Sequence, residues 1–323
     1  MRRLLVSPAG LPLVALAGVN LLAWSWAAIA FHHRPDLLGS ALLAWLFGLR
    51  HAVDADHLAA IDNVVRKLMQ EGQRPRLVGL HFSLGHSTVV ILAATVIAAT
   101  ASSAALSGFA ATGGTIGTLI SSGFLLLIAL VNLHTLIRLL QGRADHPPHG
   151  LLARLLRPAM RLIRRPSQMY PLGFLFGLGF DTATEVGLLA LAATQAASGL
   201  SFVDVLIFPV LFTAGMALVD TADSVLMVGA YGWAFVDPAR KRTYNITVTV
   251  LSVIVALGIG GLETLGLLVD RLPSIGPELP DRILDHMGYV IVAAFIATWA
   301  VFAWRYQRRR PLSVGNAASR SSS

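Results

Sequence analysis

Apolar stretches long enough to cross a bilayer recur about eight times in this chain of 323 residues. A transmembrane helix needs about 20 predominantly apolar residues. We place the spans near residues 11–31, 37–61, 77–98, 115–140, 170–197, 203–233, 243–269 and 286–306. Only 13% of the residues are charged, which is too few to cover a soluble surface. The sequence therefore predicts an all-α, polytopic membrane protein of about eight transmembrane helices.

The distribution of basic residues predicts the orientation, because Lys and Arg accumulate in cytoplasmic loops. With the N-terminus inside, all but four of the 25 basic residues lie in inner segments. The exceptions are Arg34, Arg271 and Arg282 in outer loops and Arg50 in a span. We therefore expect a multi-pass protein of the cytoplasmic (inner) membrane with both termini inside. The net charge of +8 does not indicate nucleic-acid binding, because it is spread over every inner loop.

The chain reads as one transmembrane domain over residues 1–310, followed by a disordered tail at 311–323. Its halves, about 1–140 and 170–310, are joined by a cytoplasmic loop at 141–169. His146 and His149 in that loop could sense metal, but two histidines are few and a solvated linker is favoured. The uncharged segment 99–115 is predicted to be an outer connector.

A cluster of ionisable residues interrupts the second span at residues 50–57, which read Arg-His-Ala-Val-Asp-Ala-Asp-His. Charged groups at bilayer depth are costly and usually functional. On a continuous helix, His51, Asp54 and His57 would share a 120° arc, with Asp56 facing elsewhere. Imidazole with carboxylate suits nickel or cobalt better than magnesium or calcium. The alternative is a hydrogen-bonded network that locks helices together.

Histidines recur at the start of the third span, which reads Leu-His-Phe-Ser-Leu-Gly-His-Ser-Thr over residues 80–88. A single membrane histidine often only bonds a neighbouring helix. Two histidines in one span, with Gly85 allowing a neighbouring helix to approach closely, favour His86 as a metal ligand. The same pattern leaves open whether His81 also binds metal.

Acidic residues without basic partners mark the fifth and sixth spans. Asp181 and Glu185 are spaced i, i+4, and Asp220 and Asp223 are spaced i, i+3, so each pair shares a helix face. Salt bridges would explain them, but Arg50 is the only basic residue that we place in a span. Some of these acids are therefore predicted to be protonated, hydrogen-bonded or bound to a cation.

Counting the rise along each predicted helix brings most of these residues to similar depths. Asn20 of span one falls near the midplane with Asp181 and Glu185, whereas His134 of span four reaches the cytoplasmic half with the other histidines and has no motif around it. Glu263 falls near the outer surface, as an access or structural group. The polar motifs of spans two–three and five–six also hint at an inverted internal repeat.

Four motifs together resemble the nickel/cobalt transporter family. They are Arg50–His57, Leu84-Gly85-His86-Ser87, Leu178–Glu185, and Gly215-Met216 with Asp220-Thr221-Ala222-Asp223. The resemblance covers nearly the whole chain and implies a high-affinity permease for Ni²⁺ and Co²⁺ with essential histidines and aspartates in span two. It also implies that Asn20 tunes selectivity. Ser224 departs from the glycine expected there, which leaves the local backbone geometry open.

We therefore predict a secondary transporter that imports Ni²⁺ and/or Co²⁺ through a site on helices two, three, five and six. The predicted metal site comprises His51, Asp54, Asp56, His57, His86, Asp181, Glu185, Asp220 and Asp223, with Asn20 for selectivity and His81 and His134 as additional candidates. The metal is cargo, so no resident cofactor is expected, and the bilayer is the other partner. No Walker A sequence indicates an ATPase. An exporter of the same metals is the alternative. An intramembrane metallohydrolase would need a motif such as His-Glu-x-x-His, which is missing, so no enzyme is predicted.

Overall fold

The computed structural model of the protein describes residues 10–100, 104–141, 163–179, 182–234, 238–269 and most of 287–304, and these are helical without any strand. We number the helices α1 Leu11–Ala30, α2 Pro35–His51, α3 Ala55–Gln70, α4 Val78–Thr100, α5 Ala104–Leu140, α6 Met169–Phe176, α7 Ala183–Ala197, α8 Phe202–Val205, α9 Ile207–Ala234, α10 Pro238–Val269 and α11 Met287–Thr298. A 3₁₀ turn at Pro166–Gln168 precedes α6.

Five segments of the described chain are long and apolar enough to cross a membrane. They are Leu11–Ala30, Val78–Thr100, Gly113–Leu140, Phe202–Gly232 and Ile246–Leu268. The prediction of an all-helical, multi-pass membrane protein is thereby confirmed. The count of eight remains a prediction, because the second and fifth predicted spans are each interrupted and the last helix is short.

The second predicted span is not one helix, which corrects the geometry that we expected for its motif. Helix α2 ends at His51, and α3 begins at Ala55 after a turn. Asp54 stands before α3 in an extended conformation, with ψ 148°. An aspartate in this position usually accepts a backbone N–H of the first turn. Here the carboxylate makes no such bond, because it pairs with Arg50 and His51 instead.

The fifth predicted span is broken in the same way. Helix α6 ends at Phe176, and α7 begins at Ala183 behind Thr182, whose hydroxyl accepts the Glu185 N–H. Asp181 lies outside the described residues, so its predicted shared face with Glu185 is not visible. The two broken helices carry the motifs Arg50–His57 and Leu178–Glu185.

One predicted loop is helical instead. We expected a connector at 99–115, whereas α4 runs to Thr100 and α5 already begins at Ala104. The segment 99–115 is rich in small residues and contains no proline, which is compatible with a helix, and alanine has the highest helix propensity. His146 and His149, with most of the predicted linker and the whole C-terminal tail, lie outside the described residues.

Helix α9 lies at the centre of the fold and packs against α1, α2, α3 and α4. Glycines allow neighbouring helices to approach closely: a Cβ at Gly85 of α4 would lie 2.0 Å from the Tyr170 carbonyl oxygen of α6. Ser224 of α9 also has a defined role, because its buried hydroxyl accepts the Gly79 N–H at 2.8 Å. This bond satisfies one of the free N–H groups at the start of α4.

Candidate metal centre

Three histidines from three helices meet in the interior of the bundle. His51 is the last residue of α2, His57 lies in the first turn of α3, and His86 lies in α4. All three are at most 2% exposed, and one ring nitrogen from each lies within 4.8 Å of those from the other two. The break between α2 and α3, rather than a shared helix face, brings His51 and His57 together, with ring centroids 4.6 Å apart.

Glu185 completes this group from the first turn of α7. Its Oε1 lies 2.8 Å from His86 Nε2 and 3.9 Å from His51 Nε2, and the two Nε2 atoms are 2.9 Å apart. Thr182 donates its hydroxyl to Glu185 Oε2 at 3.0 Å, which orients the carboxylate. Below, "the histidine centre" means His51, His57, His86 and Glu185.

Two further carboxylates stand behind the imidazoles. Asp54 Oδ2 lies 2.7 Å from His51 Nδ1, and Asp220 Oδ2 of α9 lies 3.5 Å from His57 Nδ1. Arg50 pairs with Asp54 and also lies over the ring of Tyr289 in α11, 5.0 Å from its centroid. A carboxylate on the outer nitrogen of a metal-binding imidazole orients the ring and raises its basicity.

Several polar atoms of this region are buried without a hydrogen-bond partner. They are both ring nitrogens of His57, Nδ1 of His86 and both carboxylate oxygens of Asp220. Aromatic neighbours explain part of this: the Phe82 ring lies 4.7 Å from the His57 ring, edge-on, and 6.4 Å from the His86 ring. Leaving a buried polar group unpaired costs about 1–3 kcal/mol, so the arrangement suits a ligand that supplies the missing interactions.

The ends of the broken helices favour a cation here. Helix α2 terminates at His51, and the residues after α6 run beside the centre at Gly179. A helix C-terminus carries a partial negative charge. The opposite ends, where α3 and α7 begin, carry acidic residues in their first turns, Asp56 and Glu185, which offset the partial positive charge.

The other predicted site residues lie farther away or face other groups. Asp56 lines a small cavity that reaches His51 and His86. Asp223 lies one turn beyond Asp220 on α9 and is not part of the histidine group. His81 uses Nδ1 to bond the carbonyl of Leu77 at 2.7 Å, and His134 of α5 is not part of the histidine group.

Asn20 does not reach the histidine centre directly. Its amide donates to the carbonyls of Leu16 and Ala214, and Trp45 donates to its oxygen at 2.8 Å. It therefore ties α1 to α2 and α9. Ala214 lies two residues after Phe212, which contacts His51.

A second buried polar cluster was not predicted from the sequence. Asp62 of α3 accepts the hydroxyls of Tyr231 at 2.6 Å and Ser252 at 3.0 Å. Arg66, which we had placed in a cytoplasmic segment, is 2% exposed and donates to Thr249 and Asn63. Arg50 is therefore not the only basic residue inside the bundle. The apolar residues between these polar ones, Val64 and Val65, were the available signal that α3 continues inside.

The fold and the site define the class of this protein. It is an all-helical membrane protein with a buried histidine–carboxylate group that could hold a metal ion. The chain belongs to the high-affinity nickel-transport protein family, which its residues 37–304 match. The resemblance drawn from the four motifs is thereby confirmed.

Relatives cover most of the chain. It is 50% identical to the hydrogenase nickel incorporation protein HupN of Bradyrhizobium diazoefficiens, over 92% of this chain and 84% of the relative. It is 49% identical to the high-affinity nickel transport protein of Cupriavidus necator, over 91% and 90%. It is 41% identical to the cobalt transport protein NhlF of Rhodococcus rhodochrous, over 81% of each chain. No solved structure matches this chain.

Proposed function

We propose that this protein is a secondary transporter that imports Ni²⁺ and/or Co²⁺ across the cytoplasmic membrane through the histidine centre. The observation that carries the proposal is the convergence of three buried imidazoles and one carboxylate at the breaks of two helices. Discontinuous helices commonly form ion sites in secondary transporters, because their free ends can face the ion. The nickel and cobalt relatives support these two ions as substrates.

The spacing of the donor atoms supports His51, His86 and Glu185 as direct ligands. Nitrogen and oxygen ligands lie about 2.1 Å from a first-row divalent ion such as zinc, so two at right angles are about 3.0 Å apart and two opposite are about 4.2 Å apart. The observed separations are 2.9, 2.8 and 3.9 Å. These separations fit ligands placed at the corners of a square plane or an octahedron, and Ni²⁺ prefers such geometries.

Asp54 and Asp220 act through His51 and His57 in this proposal, since each faces an outer ring nitrogen. His57 supplies a further nitrogen. Asp56 and the two acids Asp181 and Asp223 belong to the path rather than to the centre.

The membrane arrangement is part of the proposal. The five continuous candidates, the two broken helices α2–α3 and α6–α7, and α11 make eight passes in one domain, with both termini in the cytoplasm. The basic residues support this orientation. The breaks in spans two and five also favour an inverted repeat. Because the chain has no cysteine, single cysteines in loops 141–169 and 270–286 test the orientation: an impermeant thiol reagent should label only the second loop in intact cells.

Radioactive nickel accumulation in cells with and without the protein tests the direction of transport. Import predicts that cells expressing the chain accumulate more label at low external nickel. Faster loss of label from preloaded cells would instead support the exporter. A matched His86→Ala strain should behave as cells without the protein, which excludes an indirect effect of expression.

A further inference from the structure

A small cavity joins the histidine centre to oxygen donors that the proposed ligand set does not use. Its volume is about 20 Å³, which is room for about one water-sized group. His51, His86 and Glu185 line it together with Asp56 of α3, Ser121 of α5 and Glu263 of α10. His86 is 2% exposed, and its Nδ1 has no hydrogen-bond partner.

Close packing of backbones brings these donors together. A Cβ at Gly117 of α5 would lie 2.2 Å from the Gly179 nitrogen, so α5 lies directly against the chain that leaves α6. One turn farther along α5, the Ser121 hydroxyl donates to Glu263 Oε1 at 3.1 Å. Glu263 is thereby held at the cavity, and its Oε2 is buried.

Glu263 marks the side of the cavity that is nearer the outside in the topology proposed above. Glu263 is six residues before the end of α10 at Val269, which is about 9 Å along a helix. That end of α10 and the start of α5 both face outside in this topology. A carboxylate inside a membrane protein usually marks an ion path.

We propose that this cavity is a second cation position, built from the oxygens of Asp56, Ser121 and Glu263, through which the metal passes between the outside and the histidine centre. This second cation position rests on the proposed function. Oxygen ligands replace part of the hydration shell of any hard or borderline divalent cation, including Mg²⁺, whereas imidazoles favour nickel and cobalt. The cavity therefore admits divalent cations with little selectivity, and the histidine centre discriminates among them.

Glu263→Gln tests this, because it keeps the shape of the side chain and removes its charge. Full-length protein in proteoliposomes should show a KM for nickel uptake that is roughly tenfold higher, the lower end of the effect of losing a residue outside the ligand set. The equilibrium nickel affinity of the purified variant should stay at the wild-type value, since the histidine centre is intact. Excess Mg²⁺ should slow nickel uptake by the wild type and slow it less in the variant.

Glu71→Gln is the matched control. This carboxylate follows α3, has a side chain 44% exposed, and pairs only loosely with Lys67 at 4.0 Å. Its KM and Mg²⁺ sensitivity should equal those of the wild type. Ser121→Ala is a second variant for the case in which Glu263→Gln does not accumulate, and a raised KM is expected there too.

An unchanged KM or an unchanged Mg²⁺ sensitivity in the folded Glu263→Gln protein would overturn the proposal. So would a loss of equilibrium nickel affinity as large as that of His86→Ala, because Glu263 would then belong to the histidine centre. If Ser121→Ala is the only variant that accumulates, an unchanged KM for nickel uptake in that variant overturns the proposal. A wild-type protein that binds no nickel contradicts the proposed function itself, which distinguishes the two failures.

Discussion

The interior of this protein holds two buried polar clusters, the histidine centre and the network around Asp62, which differ in how their atoms are paired. Both carboxylate oxygens of Asp62 accept a hydroxyl, and Arg66 donates from both terminal nitrogens. Only Arg66 Nε among these two side chains has no partner. In contrast, His57 makes no hydrogen bond, although it is fully buried.

This difference separates a structural network from a binding site. The Asp62 network links α3 to α9 through Tyr231 and to α10 through Ser252 and Thr249, so its bonds fix the positions of helices. Such a network needs no ligand, because its polar groups satisfy each other. The histidine centre has ring nitrogens without a hydrogen-bond partner on His57 and His86, and Asp220 behind it has two such carboxylate oxygens, as a site for a dehydrated cation requires. Variants in the two clusters should therefore fail in different ways.

The largest effect is expected at the histidine centre. His86→Ala should abolish nickel uptake, because it removes an imidazole that contacts both His51 and Glu185. The variant should still accumulate in the membrane, which immunoblotting measures, although it loses the contacts of Nε2 with His51 and Glu185. His81→Ala on the same helix is the control and should retain uptake, because its ring bonds only a carbonyl one turn away. An equal loss of nickel uptake in both variants would contradict the assignment of His86 as a ligand, because both losses would then reflect disruption of α4.

Much of the architecture was accessible from the sequence. Long apolar runs predicted the helices α1, α4, α9 and α10, because hydrophobic length is a strong local signal. The candidate histidines and acids of the site were identified from a local signal as well, because an ionisable residue within an apolar run is unusual. The relative positions of these residues were harder, because they depend on how helices cross.

The helix breaks were the main error, and one of them had a local signal. Thr182-Ala183-Thr184-Glu185 has the spacing of a capping box, in which Ser or Thr is followed three residues later by Glu. It predicts a helix start at Ala183, where α7 begins. No capping box marks the start of α3, because His57 and not Glu or Gln stands three residues after Asp54. Asp54 instead pairs with Arg50 and His51, four and three residues before it, and does not cap the helix. Helix propensity alone does not predict that preference.

A smaller loss is expected for the carboxylate behind His51. Asp54→Asn keeps the size of the side chain but removes the charge beside His51 Nδ1. Nickel affinity should fall roughly 10–100-fold, as is typical when a residue that orients a ligand is changed. Titration of purified protein with nickel measures it. Asp36→Asn, at the exposed start of α2, should leave the affinity unchanged, and a complete loss in Asp54→Asn would indicate that Asp54 binds the metal directly.

The Asp62 network should respond in stability and not in binding. Asp62→Asn replaces one acceptor oxygen with an amide donor, so either Tyr231 or Ser252 loses its acceptor. The free energy of unfolding should fall by about 1–3 kcal/mol, measured by denaturation of the purified protein, while nickel affinity stays close to that of the wild type. A variant with wild-type stability and lost nickel affinity would remove the distinction between the two clusters and would place Asp62 in the metal path.

The smallest effect concerns the choice between nickel and cobalt, which accept the same donor atoms and differ mainly in preferred geometry. Asn20 holds the Ala214 carbonyl of α9 and the Trp45 side chain of α2, and these helices carry Phe212 and His51. Asn20→Ala removes these bonds and should shift the nickel-to-cobalt uptake ratio by roughly two- to tenfold, the equivalent of one hydrogen bond. Asn132→Ala, which removes an amide bonded to Asn63 in the Asp62 network, should leave the ratio unchanged. Uptake of the two radiometals measured in parallel decides between them: an equal shift in both variants would mean that selectivity reflects general loosening of the bundle and not the position of His51.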